Sequence, residues 1–150
     1  MPIYLDNAAT TPVCAEAAQA AYRAMTEGFG NPSSRYSLAQ QAAASVKEHR
    51  ETVAGCLGCL PEELTFISCG TEGDNWSIRA AAEYGKRKGK HIITTAIEHA
   101  AVLEPVKVLA AQGYEVTYLR PDREGNLSLE ELEGALRPDT VLVSIMLVNN

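Results

Sequence analysis

From residue 64 onward the chain alternates short apolar stretches with longer stretches rich in helix-forming residues. The short stretches are typical of buried strands and the longer ones of helices. Strands joined by helices need crossover connections, which place them parallel in one sheet. The alternation therefore predicts an α/β fold with a mostly parallel sheet flanked by helices on both faces. The predicted strands are Leu64–Ser68, His91–Thr95, Glu115–Leu119 and Thr140–Val148, and the predicted helices are Glu72–Lys88, Ala101–Gln112 and Ser128–Leu136.

Two further helices are predicted before residue 64, at Cys14–Glu27 and at about Ser34–Leu57. Both stretches are rich in alanine and contain no proline, and the glycines and proline between them break the helical path. With 150 residues, of which 46% are hydrophobic, the chain can bury one core of ordinary size. We therefore expect one domain or part of one.

Charge and composition exclude several classes of function. The formal net charge of −6 argues against nucleic-acid binding, which needs clustered Lys and Arg. No apolar run approaches the ~20 residues of a membrane span, and the N-terminus lacks a signal-peptide pattern, so we expect a cytoplasmic protein that does not bind membranes. The cysteines are expected to be free thiols, and no metal site is predicted, because the Cys56–Cys59 pair has no second pair beside it. The four cysteines are Cys14, Cys56, Cys59 and Cys69.

An anion site is predicted at the segment Ser68–Thr71, between a predicted strand and a predicted helix. Free backbone N–H groups at a helix start bind anions, and the helix dipole adds to the attraction. Gly70 would let the backbone approach the ligand closely, and Thr71 would add a hydroxyl donor. The alternative interpretation is that Ser or Thr here only caps the helix.

Two other polar positions follow predicted strands, at the edge where open α/β sheets bind ligands. His99 follows the strand that ends near Thr95, and Asn150 follows the strand that begins at Thr140. A histidine can exchange protons near neutral pH, and an asparagine side chain can both donate and accept hydrogen bonds. Alternatively, His99 is a hydrogen-bonded structural residue and the Asn149–Asn150 pair is only a turn signal.

Five motifs in one order resemble the cysteine desulfurases of the NifS-like group of class V aminotransferases. The resemblance runs along the whole chain rather than resting on one motif. It implies a fold-type I enzyme dependent on pyridoxal 5′-phosphate, with residues 1–13 as an N-terminal arm that joins a small domain and residues 14–150 as an incomplete large domain. The motifs are Tyr4–Pro12, Gly30–Ser34, Ser68–Asn75, Glu98–Pro105 and Asn149–Asn150.

The resemblance also implies roles for individual residues. Gly70 and Thr71 would bind the cofactor phosphate, and His99 would stack on the pyridine ring and pass protons between substrate and cofactor. Asn150 would donate a hydrogen bond to the phenolic oxygen of the cofactor. The substrate side of the pocket would be framed by the loops that contain Asn7, Ala8 and Asn31.

By the same resemblance, the enzyme would remove sulfur from L-cysteine to give L-alanine and an enzyme persulfide. The sulfur would pass to acceptor proteins such as an iron–sulfur scaffold, and the enzyme would be a homodimer. The Schiff-base lysine and the persulfide-forming cysteine of the family lie beyond the paired asparagines. We therefore expect the chain to be an N-terminal fragment that is inactive alone.

Some positions depart from the family pattern, and two other interpretations stay open. Tyr36 replaces a usual histidine, and Ala39 replaces a usual glycine. His49 and His91 match no catalytic position and are expected at the surface or at a strand edge. The alternatives are another class V enzyme, such as a selenocysteine lyase or an aminotransferase, and a non-catalytic short product.

Overall fold

The computed structural model describes residues 3–148. The chain divides into two compact units, one up to Phe66 and one from Ile67. The first unit contains α1 (Ala15–Thr26), α2 (Ser37–Leu57) and a 3-10 turn (Pro61–Glu63). The second unit contains α3 (Gly70–Gly85), β1 (His91–Thr95), α4 (Ala100–Ala111), β2 (Glu115–Leu119), α5 (Leu129–Ala135) and β3 (Thr140–Ser144).

Helix α2 ends where glycine allows the chain to turn. Gly58 has φ 71°, a left-handed conformation that glycine adopts without steric cost. Its N–H donates to the carbonyls of Ala54 and Gly55, which satisfies acceptors in the last turn. Both helices predicted for this unit are confirmed, with ends that differ by a few residues.

The strand predicted at Leu64–Ser68 is not formed. The backbone at Leu64 is extended, but its carbonyl accepts a hydrogen bond from the Arg50 guanidinium on α2 instead of from a neighbouring strand. The same guanidinium lies 4.9 Å from the centre of the Phe66 ring. Extended apolar residues resemble a strand in sequence, but a strand forms only where a second backbone completes the ladder.

The sheet of the second unit is parallel, as the sequence predicts. Its order is β2-β1-β3, so the first strand in sequence lies in the centre. Ile92 pairs with Val116 on one side and with Leu142 on the other. Both connections between successive strands are crossovers that contain a helix, α4 between β1 and β2 and α5 between β2 and β3, as parallel strands require.

The core of this unit lies between the sheet and helices α3 and α4. Ile92 and Ile93 are both 0% exposed, and neighbouring residues of a strand point to opposite faces. The central strand is therefore buried on both faces, as expected for a strand in the middle of a sheet that is covered on both faces. The cluster on the helix side consists of Ile78, Ala82, Ile92, Val102, Val106 and Leu109.

Strand β3 is shorter than the predicted Thr140–Val148. It ends at Ser144, which pairs with Thr94 near the end of β1. Two residues later, the backbone N–H of Met146 donates to a side chain, the carboxylate of Glu98 (2.7 Å), instead of to a strand. The ladder therefore stops one residue before the end of its partner strand, and the apolar residues that follow β3 up to residue 148 are not part of the sheet.

The surface position expected for His91 is wrong, whereas His49 is exposed as expected. His91 begins β1 and is 1% exposed. Its Nδ1 lies 2.8 Å from the Thr140 hydroxyl of β3, and its Nε2 lies 2.9 Å from the Thr117 hydroxyl of β2. A buried imidazole needs partners for both nitrogens, and here they come from the two outer strands.

Candidate functional site

The start of α3 has the features of an anion site. The N-cap residue, Cys69, has an extended backbone and makes no side-chain capping hydrogen bond. The alternative in which a Ser or Thr hydroxyl caps this helix is therefore wrong, since Thr71 is the second residue of the helix. Uncapped N–H groups at a helix start remain available to an anion.

The groups around the Cys69 thiol favour its negatively charged form. The pKa of the thiol is lowered, chiefly because the backbone N–H of Glu72 faces it, and the Ser68 hydroxyl and the N–H of Thr71 contribute further. The thiol itself is exposed. Donors that stabilise a thiolate also stabilise phosphate oxygens at the same place.

The Glu72 carboxylate folds back on the segment before the helix. It accepts hydrogen bonds from the backbone N–H (2.6 Å) and the hydroxyl (2.8 Å) of Ser68, and these two donors lower its pKa. These hydrogen bonds join Ser68, in the loop before α3, to the first turn of that helix. It also directs the carboxylate toward Ser68, whose donors neutralise part of its charge.

Space over the helix start is open. A Cβ atom built on Gly70 would meet no other heavy atom within 4 Å. The missing side chain therefore leaves the backbone N–H groups reachable by a ligand oxygen. The donor set, the dipole and the open space together fit a phosphate group at Gly70 and Thr71.

His99 occupies the N-cap position of α4, at the carboxyl end of β1. Its Nδ1 accepts a hydrogen bond from the backbone N–H of Ala101 (3.1 Å). Because Nδ1 acts as the acceptor, the proton of the neutral ring is assigned to Nε2. The structural role considered for His99 is therefore present, and it leaves the exposed Nε2 side of the ring available for chemistry.

Thr71 and His99 line one cavity of about 330 Å³ that runs between α3 and α4. Two of the predicted cofactor residues, 28 positions apart in sequence, are thus brought to one place. The other lining residues are Asn75, Arg79, Ala100, Ala101, Glu104, Pro105 and Val108.

Two sets of polar contacts, made by Glu98 and by Asn75, were not predicted from the sequence. The Glu98 carboxylate is 7% exposed and accepts hydrogen bonds from the Thr95 hydroxyl (2.9 Å) and from the backbone N–H of Met146. The Asn75 amide donates to the carbonyls of Thr71 (3.0 Å) and Ala101 (3.4 Å). The spacing of four between Thr71 and Asn75 was the only sequence signal for either contact.

The predicted substrate-pocket residues lie in the first unit, in loops with ordinary turn contacts. The Asn31 side chain accepts a hydrogen bond from the N–H of Ser33 (3.0 Å), and the N–H of Asn31 donates to the hydroxyl of Tyr36 (3.3 Å). Asn7 and Ala8 are exposed. Their roles in a pocket stay predictions, and Asn150 lies outside the described residues.

Two negative findings apply to residues 3–148. That part of the chain has no group of three or more His, Cys, Asp or Glu residues placed to hold a metal ion. None of its helices combines the length and the apolar character needed to cross a membrane. The four cysteines are free, and three of them, Cys14, Cys56 and Cys69, are exposed.

Together, the parallel sheet and the two helix starts define an α/β protein in which a helix start able to fit a phosphate lies beside a histidine. The aminotransferase class-V family model matches residues 3–150, and the chain belongs to this family. The family is one of pyridoxal-phosphate-dependent enzymes.

Individual relatives agree with this assignment. The chain is 48% identical over 148 residues to a cysteine desulfurase IscS of Methanosarcina thermophila, a match that covers 99% of the chain and 37% of the relative. Among solved structures, a NifS-like protein superimposes with a TM-score of 0.94 at 42% identity, covering 99% of this chain and 41% of that one. The structure of SspA in complex with cysteine gives a TM-score of 0.84 at 35% identity, covering 92% and 40%. The chain thus spans less than half the length of these relatives.

Proposed function

We propose that the protein represented by this chain is a pyridoxal-phosphate-dependent cysteine desulfurase. It removes sulfur from L-cysteine and gives L-alanine and an enzyme persulfide. The observation that carries the proposal is the cavity shared by Thr71 and His99, because it brings the proposed phosphate-binding helix start next to a residue able to transfer protons. The similarity to cysteine desulfurases and to a cysteine-bound structure supports the same substrate.

In this proposal the residues of the chain hold and orient the cofactor. The N–H groups of Gly70 and Thr71 and the Thr71 hydroxyl bind the phosphate, and the dipole of α3 adds to the attraction. His99 stacks on the pyridine ring and moves protons through Nε2, since its Nδ1 is engaged with Ala101. The cofactor itself supplies an electron sink for bond cleavage in the amino acid.

We propose further roles for other residues of the chain. Asn150 donates a hydrogen bond to the phenolic oxygen of the cofactor, and loops containing Asn7, Ala8 and Asn31 frame the substrate. Residues 1–13 join a small domain, and residues 14–150 form part of the large domain. The enzyme is a cytoplasmic homodimer that passes sulfur to acceptor proteins such as an iron–sulfur scaffold.

The test is an assay of the protein expressed from its complete gene. With pyridoxal phosphate, L-cysteine and a thiol reductant, we expect equal amounts of L-alanine and sulfide. Thr71→Ala should weaken cofactor binding by about 10- to 100-fold, the loss expected for one hydrogen bond to a charged group. Thr52→Ala is the matched control, because the Thr52 hydroxyl bonds only within α2, to the Glu48 carbonyl.

The same assay separates the neighbouring activities of the family. Preference for L-selenocysteine would indicate a selenocysteine lyase, and transfer of an amino group to a keto acid would indicate an aminotransferase. A protein that binds no pyridoxal phosphate, or that forms no alanine from cysteine, would overturn the desulfurase proposal.

A further inference from the structure

Glu98 is a buried carboxylate that joins two segments distant in sequence. Its Oε1 accepts both hydrogen bonds, one from Thr95 at the end of β1 and one from the backbone N–H of Met146, 48 residues further on. A buried carboxylate is costly unless donors compensate it. Here the donors come from the strand that precedes His99 and from the segment that follows β3.

Asn75 makes a second link, between α3 and α4. Its side-chain amide donates to the Thr71 carbonyl in its own helix and to the Ala101 carbonyl in the first turn of α4. Pro105 stands four residues after Ala101 and has no N–H, so the helical bond that would normally reach the Ala101 carbonyl is missing. The Asn75 amide supplies a donor to that carbonyl from the neighbouring helix.

We propose that Glu98 and Asn75 are positioning residues that together fix His99 relative to Thr71 and to the segment after β3. His99 lies between the two links, directly after Glu98 and two residues before Ala101. Neither side chain needs to touch the cofactor for this role. The consequence for cofactor binding rests on the proposed function, whereas the links themselves do not.

Two features separate this role from general packing. Each link is a hydrogen bond between a polar side chain and a backbone group of another segment. A substitution of similar size can therefore remove or keep that hydrogen bond with little change in packing. The linked segments are the starts of α3 and α4, which line the proposed site, and the segment after β3, which is bonded to Glu98 directly before His99. A loss of either link should therefore change the site more than it changes the distant core.

The Glu98 link is tested first without cofactor, by amide hydrogen exchange at Met146 in the protein expressed from its complete gene. Glu98→Ala should speed exchange of this amide about 10-fold, the loss of one buried hydrogen bond. Glu98→Gln keeps an acceptor oxygen at the same place and should stay close to wild type. Glu133→Ala, on the exposed face of α5, is the control.

The second readout is binding of pyridoxal phosphate, measured by cofactor absorbance and fluorescence in the same variants. Glu98→Ala and Asn75→Ala should each weaken binding about 10-fold, and the double variant should weaken it by less than the product, because both act through the position of His99. Asn75→Asp should behave like Asn75→Ala, since a carboxylate cannot donate to the two carbonyls.

The outcomes separate this inference from the proposed function. Unchanged Met146 exchange in Glu98→Ala, or unchanged cofactor binding in both single variants of a protein that binds the cofactor, would overturn the positioning role. If Glu98→Ala does not fold, a Glu98→Gln variant that loses both slow exchange and cofactor affinity would overturn it too. A wild-type protein that binds no cofactor would refute the proposed function, and Met146 exchange would still decide whether Glu98 holds this segment.

Discussion

At the residue scale, His99 can combine its structural role with the chemical role that we propose, because its ring has two different nitrogens. The Nδ1 atom caps α4 through Ala101, and this bond fixes both the tautomer and the direction of the ring. The sequence predicts the residue and its place after β1. It does not predict that the helix itself holds the ring, because that depends on the χ angles of one side chain at an N-cap.

Substitution by asparagine separates the two roles of His99. Asparagine is a good N-cap, so His99→Asn should keep the free energy of unfolding within about 0.5 kcal/mol of wild type, whereas His99→Ala should lose about 1 kcal/mol. Both variants lack Nε2, and in the complete enzyme both should slow cysteine turnover by about 100-fold. Urea denaturation and alanine production are the measurements. Full turnover in His99→Asn would remove the imidazole from the chemistry.

Because the Glu72 carboxylate is bonded to Ser68, we expect the loop before α3 to loosen at acid pH. Its pKa is lowered by the Ser68 donors, so the folded loop is favoured above the ordinary pKa of about 4.3. That contribution is lost as the pH falls below this value through the lowered pKa of the folded state. Amide exchange at Ser68 between pH 6 and pH 3 should show the loosening, and Glu72→Gln should abolish its pH dependence. A pH-independent wild-type loop would contradict this.

At the scale of elements, Gly89 and Pro105 shape the second unit in different ways. Gly89 lies against the segment before β3, and Pro105 interrupts the bonding of α4. The helices and the parallel strands follow from periodicity in the sequence, with ends within a few residues. Periodicity did not predict that Leu64–Ser68 forms no strand or that β3 is short. A strand exists only where a partner backbone is present, and periodicity carries no information about that partner.

Gly89→Ala should destabilise the protein. A Cβ atom there would lie 2.3 Å from the Asp139 carbonyl oxygen and 2.6 Å from its Cα, so the backbone must shift. We expect a loss of about 1–3 kcal/mol in the free energy of unfolding, measured by urea denaturation. The control is Gly134→Ala in α5, where a Cβ meets nothing within 4 Å, and which should be neutral or stabilising by up to about 1 kcal/mol. Equal effects at both sites would contradict the close approach.

Pro105 and Asn75 should be coupled in stability. With Pro105 present, Asn75→Ala leaves the Ala101 carbonyl without the side-chain donor and should cost about 1–2 kcal/mol. In a Pro105→Ala background the new backbone N–H can reach that carbonyl, so the same substitution should cost about 1 kcal/mol less. A double-mutant cycle by urea denaturation measures the difference. Additive costs would show that the Asn75 amide does not replace the missing helical bond.

At the scale of the whole molecule, much apolar surface remains exposed within residues 3–148. Helix α1 has no buried residue, and Tyr84 and Leu147 are 94% and 98% exposed. Single exposed apolar side chains are ordinary, but larger sets mark surfaces that other protein covers. Such surface is compatible with a family whose relatives are more than twice as long as this chain.

The 150-residue chain by itself should therefore self-associate. Sedimentation velocity at increasing protein concentration should show growing species, and mild detergent should reduce them, because apolar contacts drive the association. A monomer that stays monomeric over a hundredfold range of concentration and unfolds in one cooperative step would contradict this expectation.

The sequence by itself determined the α/β class, the helices and central strands, the family, and the positions of the proposed phosphate loop and of His99. These follow from local periodicity, helix-start chemistry and ordered motifs. Only the tertiary structure decided that His91 is buried between two threonines, that β3 stops at Ser144, and that Glu98 and Asn75 link the segments around the site. Each of these depends on partners 26 to 49 residues apart. A contact between distant residues is fixed by how the elements pack, and no spacing within a single element encodes it.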